Sequence, residues 1–247
     1  MLSHFDLFRR RCTNAVALLV LFAVAQAATP LAAQENAETA QDALAQSIKW
    51  QRGPCKGSLG SYAEISVPEG YIFAGPDDAK KFMELTQNIP NPMTMGVLQP
   101  SGDDESWFLV FEYQDTGHVH DDEKATIDAD ALLKQRKESE VVANEERRKL
   151  GYSALHCKDW LMKPAYDTDT KCLAWALEIE DDGGDKACNY NLRLLGKTGV
   201  MSTTLVCNPA DITGLVPQVK SLLRPTTTLP IIAMPSGERA TRSLPMA

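Results

Sequence analysis

The sequence lacks the short motifs by which most enzyme and cofactor sites are recognised. No Cys-x-x-Cys pair occurs, so a zinc ribbon or a thioredoxin-like redox site has no support. The glycines of "GPCKGSLG", residues 53–60, fit neither the dinucleotide-binding nor the phosphate-loop spacing, and no Gly-x-Ser-x-Gly elbow is present. We therefore expect no cofactor and find no recognisable nucleophile.

Positive charge is also scarce. The chain contains 25 Lys+Arg against 33 Asp+Glu, which gives a net charge of −8. Residues 1–27 hold three of the arginines and one of the aspartates, so the net charge without them is −10. Proteins that bind nucleic acid neutralise its phosphates with clustered Lys and Arg side chains, and no basic stripe is present. We expect no nucleic-acid partner.

The N-terminus carries the strongest functional signal. Three arginines at 9–11 precede an uncharged apolar run, "AVALLVLFAVAQA", at residues 15–27. The run ends in Ala25-Gln26-Ala27, with small residues at both positions that a signal peptidase reads. This pattern predicts that residues 1–27 are a secretory signal peptide and that the protein is periplasmic. No charge occurs from residue 12 to 34, so the alternative is an uncleaved segment that anchors the protein in the inner membrane.

The rest of the chain divides by composition into three parts. Residues 28–46 are rich in Ala, Gln and Glu and are interpreted as a linker. Residues 47–224 have a length that suits a single domain with one hydrophobic core. Residues 225–247 contain four prolines, which remove backbone donors, so we predict a disordered tail.

Hydrophobic alternation predicts a central strand in "SWFLVFEYQD", Ser106 to Asp115. Trp107, Leu109, Phe111 and Tyr113 share one face, while Phe108 and Val110 begin the other. A strand that is apolar on both faces is expected inside a sheet rather than at its edge.

Residues 126–151 are predicted to be helical. Acids crowd the start of this region, basic residues crowd its end, and Gly151 follows as a cap. The middle of the region, "KQRKESE", has no apolar residue. It is therefore either one exposed helix or two helices broken near Ser139.

Three strands separated by tight turns are predicted next, in "KCLAWALEIE", "ACNYNLRLL" and "VMSTTLVC". Their alternation predicts an antiparallel meander with one apolar face. A closing helix is predicted after Asn208 as its cap and Pro209 in its first turn. Because runs of strands are separated from runs of helices, the fold class is predicted to be α+β, an antiparallel sheet with its C-terminal meander and helices packed on one face.

The last two strands of the meander also have a predicted register. It places four pairs of residues opposite each other: Leu194 and Met201, Leu192 and Thr203, Tyr190 and Leu205, and Cys188 and Cys207. In an exported protein the last pair is either a disulfide or two buried thiols. The other cysteines beyond the signal segment are Cys55, Cys157 and Cys172, and the odd total leaves at least one of them free or paired outside the chain.

The densest group of potential ligands is "GHVHDDEKATIDAD", residues 117–130. On a strand, His118 and His120 would share a face and could bind one metal ion, with Asp121 and Asp122 adding oxygen ligands. Acids just before a helix are also expected on electrostatic grounds. The segment is therefore either a weak metal site or a charged corner between a strand and a helix.

A second group of candidate residues lies on the middle strand of the meander. Asn189, Asn191 and Arg193 share one face of that strand, opposite Cys188 and Tyr190. They form either a polar binding surface or a solvent-facing side of the sheet, which antiparallel sheets often have.

The chain resembles a bacterial family of predicted membrane-anchored proteins, domain-of-unknown-function family 2167, over residues 48–223. Six blocks carry the resemblance in order: "EGYIFAG", "SWFLVFEY", "GHVHDDEKATIDADALL", "NEERRKLG", "PAYDTDTKCLAWA" and "CNYNLRLLGKTGV". The residues that fit the family pattern are Asp121, Asp122, Asn144, Arg147, Gly151, Trp175, Asn189, Tyr190, Arg193 and Gly196.

The resemblance also has limits. The family usually has Tyr and Lys where this chain has His118 and His120, which argues against a metal site built on the histidines. No catalytic residue is established for the family. Its members tend to end in hydrophobic spans, whereas residues 225–247 contain none.

Three hypotheses for function follow. The first is a non-catalytic binding or assembly module of the cell envelope, whose partner is an envelope protein or a cell-wall component. The second is an envelope hydrolase that uses Asp121 or Asp122 with Arg147 or Arg193. The third is a metal-binding protein through His118 and His120. Contact with the membrane is expected only through an uncleaved signal segment.

Overall fold

A computed structural model describes residues 40–89, 91–102, 105–115, 128–167, 170, 172–195, 199–223 and 232–233. The predicted signal peptide and most of the predicted tail lie outside these residues, as do His118, His120, Asp121 and Asp122. Within the described part, two antiparallel sheets and several helices confirm the predicted α+β class.

Eight of the described strands form the large sheet. Their spatial order is β1 (Gln51–Arg52), β4 (Tyr71–Ala74), β5 (Thr94–Pro100), β6 (Phe108–Gln114), β10 (Val200–Cys207), β9 (Lys186–Leu195), β8 (Cys172–Asp181) and β7 (Leu155–Asp167). A small sheet has the order β11 (Ile232–Ala233), β3 (Ala63–Val67) and β2 (Cys55–Leu59). The strand β11 comes from the segment predicted to be a disordered tail.

Three helices lie between strands in the described part of the chain: α1 (Pro76–Leu85) after β4, α2 (Ala129–Lys149) after β6 and α3 (Ile212–Leu223) after β10. Residues 40–47 are also helical. A 3₁₀ turn leads into α3, and the side chain of Asn208 accepts a hydrogen bond from the amide of Ala210 at 2.9 Å, as the predicted cap requires.

The region of α2 is one continuous helix, so the alternative of two helices broken near Ser139 is wrong. Asp128 caps its start by accepting hydrogen bonds from the amides of Asp130 and Ala131. Its end is a Schellman motif, in which Gly151 has a φ of +76° and the Tyr152 amide donates to the Arg147 carbonyl. The helix buries only Asn144 and Arg147, so it is the exposed helix that its polar middle predicted.

The central position of β6 is confirmed. It lies between β5 and β10, and its two faces enter different cores. Leu109 and Phe111 belong to the first core, together with the small sheet and α3, whereas Phe108 and Val110 belong to the second, together with α1. The prediction that helices pack on one face is therefore wrong: α1 covers one face and α3 the other, because strands that are apolar on both sides need cover on both sides.

Close packing joins the two sheets within the first core. The ring of Phe73 on β4 lies between Gly57 of the small sheet and Gly96 of the large one. A Cβ atom added at Gly57 would lie 2.5 Å from that ring, and one added at Gly96 would lie 2.6 Å from it. Both positions therefore leave no room for a side chain.

The second core is smaller and is organised around aromatic edges. Phe82 on α1 packs edge-on against Phe108, with ring centroids 5.0 Å apart, and against Trp50, with centroids 5.6 Å apart. Leu44, from the helical residues 40–47, also packs here. The folded body thus includes residues from the segment interpreted as a linker.

The predicted register of β9 and β10 is confirmed at all four pairs, including Cys188 opposite Cys207. The meander itself is longer than predicted, because β7 adds a fourth strand.

The prediction of one apolar face on the meander is wrong. Ala174 and Ala176 lie opposite Leu192 and Tyr190, so the larger residues of β8 share the other face with Asn189, Asn191 and Arg193. Tyr190 and Leu192 are fully buried and fill the core, so only small residues of β8 fit beside them. The bulky residues of β8, among them Trp175, therefore lie on the opposite face.

Candidate functional site

Polar side chains of three adjacent strands line up on one face of the large sheet. Two cross-strand rows form this surface: Glu112, Ser202 and Arg193 in the first, and Thr204 and Asn191 in the second, with Asn189 beside them. We call these six residues the polar face. All six are half-buried. They include Asn189 and Arg193, which the sequence had indicated as candidates.

Three of the six side chains of the polar face are held by hydrogen bonds. The hydroxyl of Thr204 donates to Oδ1 of Asn191 at 3.0 Å, and Nδ2 of Asn191 donates to the carbonyl of Asn189 at 3.0 Å. Glu112 accepts a hydrogen bond from Nδ2 of Asn91 at 3.0 Å. The side chains of Thr204, Asn191 and Glu112 are therefore fixed in orientation before any ligand arrives.

Two hydrogen-bond donors at this surface, in contrast, have no acceptor among the described residues. Within the described part of the chain, the guanidinium of Arg193 forms neither a hydrogen bond nor an ion pair. Trp175, which faces Asn191 across β8 and β9, is 4% exposed, and its Nε1 has no hydrogen-bond partner among the described residues. A buried N–H group without an acceptor is costly, so an acceptor at this position would be stabilising.

The polar face lies between two helices. α1 packs on β4 and β5, and α2 packs on β7 at the far edge of the sheet. The ends of the two helices are joined, because Nη1 of Arg147 donates to the carbonyl of Gln87 at 2.9 Å, two residues after α1. The strands that carry the polar face occupy the space between these supports.

Asn144, another candidate, has a structural role. Its side-chain amide donates to the carbonyl of Leu155 and accepts from the amide of the same residue, each at 2.9 Å. One turn earlier, Glu140 accepts from the amide of Cys157 at 2.8 Å. Because β7 is an edge strand, these side chains replace the missing neighbouring strand and cover its open backbone groups.

Arg147 is likewise a structural connection. It is 7% exposed, and its Nε donates to the carbonyl of Ser153 at 2.6 Å in addition to the bond to Gln87. Burial lowers the pKa of Arg147, and Tyr152, whose ring lies 5.8 Å below the guanidinium, opposes this effect.

Arg147 and Arg193 lie near opposite ends of strand β8. Arg193 pairs with Leu173, whereas Arg147 binds beside Leu155, which pairs with Asp181. These two positions are eight residues apart along β8, which is about 26 Å at 3.3 Å per residue. The two arginines therefore do not form one site.

A cluster that the sequence did not indicate lies around His156. Nε2 of His156 is 2.9 Å from Oδ1 of Asp182, and Nδ1 is 3.6 Å from Oε1 of Glu140. The hydrogen bond to Asp182 raises the pKa of His156, and Glu140 adds to this effect. The partners come from α2 and from the turn after β8, so sequence distance hid the cluster.

No group of His, Cys, Asp or Glu among the described residues is arranged to hold a metal ion. None of the described helices is long and apolar enough to cross a membrane. The predicted candidates His118, His120, Asp121 and Asp122 lie outside the described residues, so their roles stay predictions.

The fold is similar to the solution structure of cyanobacterial PsbP (CyanoP) from Synechocystis sp. PCC 6803. The two chains are 12% identical, the match covers 71% of this chain and 89% of that chain, and the TM-score is 0.40. No curated protein matches the sequence. A family model described as "Protein of unknown function (DUF2167)" matches residues 51–228. The chain therefore belongs to the DUF2167 family, as its six ordered sequence blocks suggested.

Proposed function

We propose that this protein is an exported, non-catalytic binding module of the bacterial cell envelope. The N-terminal arginines, the apolar run and the small residues of the cleavage site support export. The polar face supports binding, since it presents polar side chains, three of them held by hydrogen bonds, on the strands of a sheet and not on loops.

One observation carries the proposal: the guanidinium of Arg193 is half-buried and unpaired, among the described residues, beside polar-face side chains that are held by hydrogen bonds. A guanidinium binds a carboxylate through two parallel hydrogen bonds. The amide of Asn189 and the hydroxyl of Ser202 next to it can bind amide groups. Such a surface suits a peptide-type ligand that carries a carboxylate.

The net charge of the protein restricts the class of ligand further. Beyond residue 27 the net charge is −10, so an extended polyanion would be repelled. A single carboxylate that reaches Arg193 avoids most of this repulsion. Peptides of the cell wall and segments of envelope proteins both provide this chemistry.

The test compares three forms of the tagged, exported protein: the wild type, Arg193→Ala, and Arg148→Ala. Arg148 is an exposed arginine on α2, away from the polar face, and is the matched control. Purified cell-wall sacculi are sedimented with each form, and solubilised envelope proteins are captured by each form. Loss of a charge-assisted hydrogen bond costs about 1.5–3 kcal/mol, so binding by Arg193→Ala should fall about ten- to hundredfold.

The outcomes separate the hypotheses. Binding to either material that depends on Arg193 and not on Arg148 supports the proposal. Equal binding by all three forms contradicts it. Breakdown of the sacculi that is lost in Asp121→Asn or Asp122→Asn would favour the envelope hydrolase instead.

A further inference from the structure

The last cross-strand pair of the β9–β10 hairpin consists of two cysteines. Cys188 and Cys207 lie directly opposite each other. Opposite residues of antiparallel strands have Cα atoms about 4.5–5.5 Å apart, within the separation of about 4.4–6.8 Å that a disulfide spans.

The other described cysteines have no such neighbour. Cys55 lies opposite Val67, Cys157 opposite Ile179, and Cys172 opposite Asp167. The thiol of Cys172 donates instead to the carbonyl of Thr170 at 3.0 Å. Among the described strands, one cysteine pair alone is therefore set for cross-linking.

The position of the pair gives the bond a mechanical role. Cys207 ends β10 and is followed, through Asn208, by the turn into α3. Cys188 is completely buried and Cys207 is 5% exposed, both in the first core. A covalent bond here would hold the hairpin together at the end remote from its turn, where α3 docks.

We infer that Cys188 and Cys207 form a disulfide in the exported protein. This inference rests on the register of the hairpin and on the export proposed above, and is independent of the ligand proposed for the polar face. The envelope is an oxidising compartment in which such bonds form and persist. Because both sulfurs are shielded once the core is closed, the bond forms while α3 is still undocked.

The reaction is thiol–disulfide exchange with an oxidising disulfide, RSSR. The thiolate of one cysteine attacks a sulfur of RSSR, which forms a mixed disulfide and releases one RS⁻. The thiolate of the other cysteine then attacks the protein sulfur of the mixed disulfide and releases the second RS⁻. Two electrons pass to RSSR, and the two protons end on the released thiols.

The experiment uses the full chain purified from the envelope without reductant. It is denatured and alkylated with and without prior reduction, and the adducts are counted by intact mass. The bond predicts two fewer alkyl groups without reduction, and digestion should yield one peptide pair joined through Cys188 and Cys207. Equal alkylation of the two samples, or a joined pair that contains Cys55, Cys157 or Cys172 instead, overturns the inference.

Variants add a second readout. Reduction should lower the urea midpoint of the wild type and of Cys172→Ala, which loses a buried thiol of the same core. It should leave the midpoint of Cys207→Ala unchanged. A shift of the same size in Cys207→Ala would contradict the assignment even if that variant is less stable overall.

Discussion

Asn144 binds both backbone groups of Leu155, with its amide nitrogen on the carbonyl and its amide oxygen on the N–H, each at 2.9 Å. A neighbouring strand would make the same two bonds. The helix α2 thus closes the edge of the sheet through polar side chains, although it buries none of its apolar residues.

Replacing Asn144 by alanine should destabilise the protein by about 1–3 kcal/mol, because both backbone groups of Leu155 lose their partner near the protein interior. The free energy of unfolding in urea measures this effect. Glu145→Ala, on the exposed side of the same helix, should change it by less than about 0.5 kcal/mol. Similar losses in the two variants would show that the cost comes from the helix and not from the strand edge.

Arg147→Lys should also destabilise the protein, by about 1–3 kcal/mol, since an ammonium cannot reach the carbonyls of Ser153 and Gln87 together. Hydrogen exchange should accelerate in the turns after α1 and after α2. Arg148→Lys is the matched control on the exposed side. Unchanged exchange near Gln87 in Arg147→Lys would contradict the link between the two helices.

Stability should depend on pH through His156. Asp182 first and Glu140 second raise the pKa of this histidine above its usual 6.5 in the folded state. Its contribution is therefore fully present below the unfolded pKa and is lost as the pH rises through the folded pKa. Unfolding curves between about pH 6 and pH 9 should show a decline in the wild type that His156→Gln lacks. If the stability of the two proteins changes with pH in parallel, the contribution of the His156 contacts with Asp182 and Glu140 is contradicted.

Gly57→Ala should cost about 1–3 kcal/mol, because the new Cβ would lie 2.5 Å from the ring of Phe73 and would force the sheets apart. Gly102→Ala is the control, since a Cβ atom added there would have nothing within 4 Å and the backbone at this glycine is not left-handed. Thermal or urea unfolding of both variants tests whether the two sheets share one tightly packed core. Equal stability of the two variants would argue against that packing.

Alternation of apolar residues was enough to predict the centre of this fold. The apolar residues on both faces of β6 predicted that this strand lies between two cores, with Phe108 and Val110 in one and Leu109 and Phe111 in the other. The short connection after β9 predicted the register that sets Cys188 opposite Cys207. These features depend on neighbours in sequence, so local patterns contain them.

Alternation could not say which face of β8 meets the core. Ala174 and Ala176 face it because Tyr190 and Leu192 on the next strand already fill the space. That choice depends on packing between strands, and the spacing of residues within β8 is the same for either answer.

The candidate site was predicted in part. The face that carries Asn189 and Arg193 followed from alternation on β9. Asn144 and Arg147, also proposed as binding residues, satisfy backbone groups, and a sequence does not reveal this use of a buried polar side chain. His156 was missed because Glu140 and Asp182 reach it only through the tertiary fold.

Photo-crosslinking in living cells tests the central claim most directly. A benzophenone amino acid replaces Ser202, next to Arg193 on the polar face, or Glu145, on the exposed side of α2. We predict an adduct from position 202 that disappears when Arg193→Ala is added, and none from position 145. An adduct from position 145 alone, or one from position 202 that persists in Arg193→Ala, would contradict binding through the polar face.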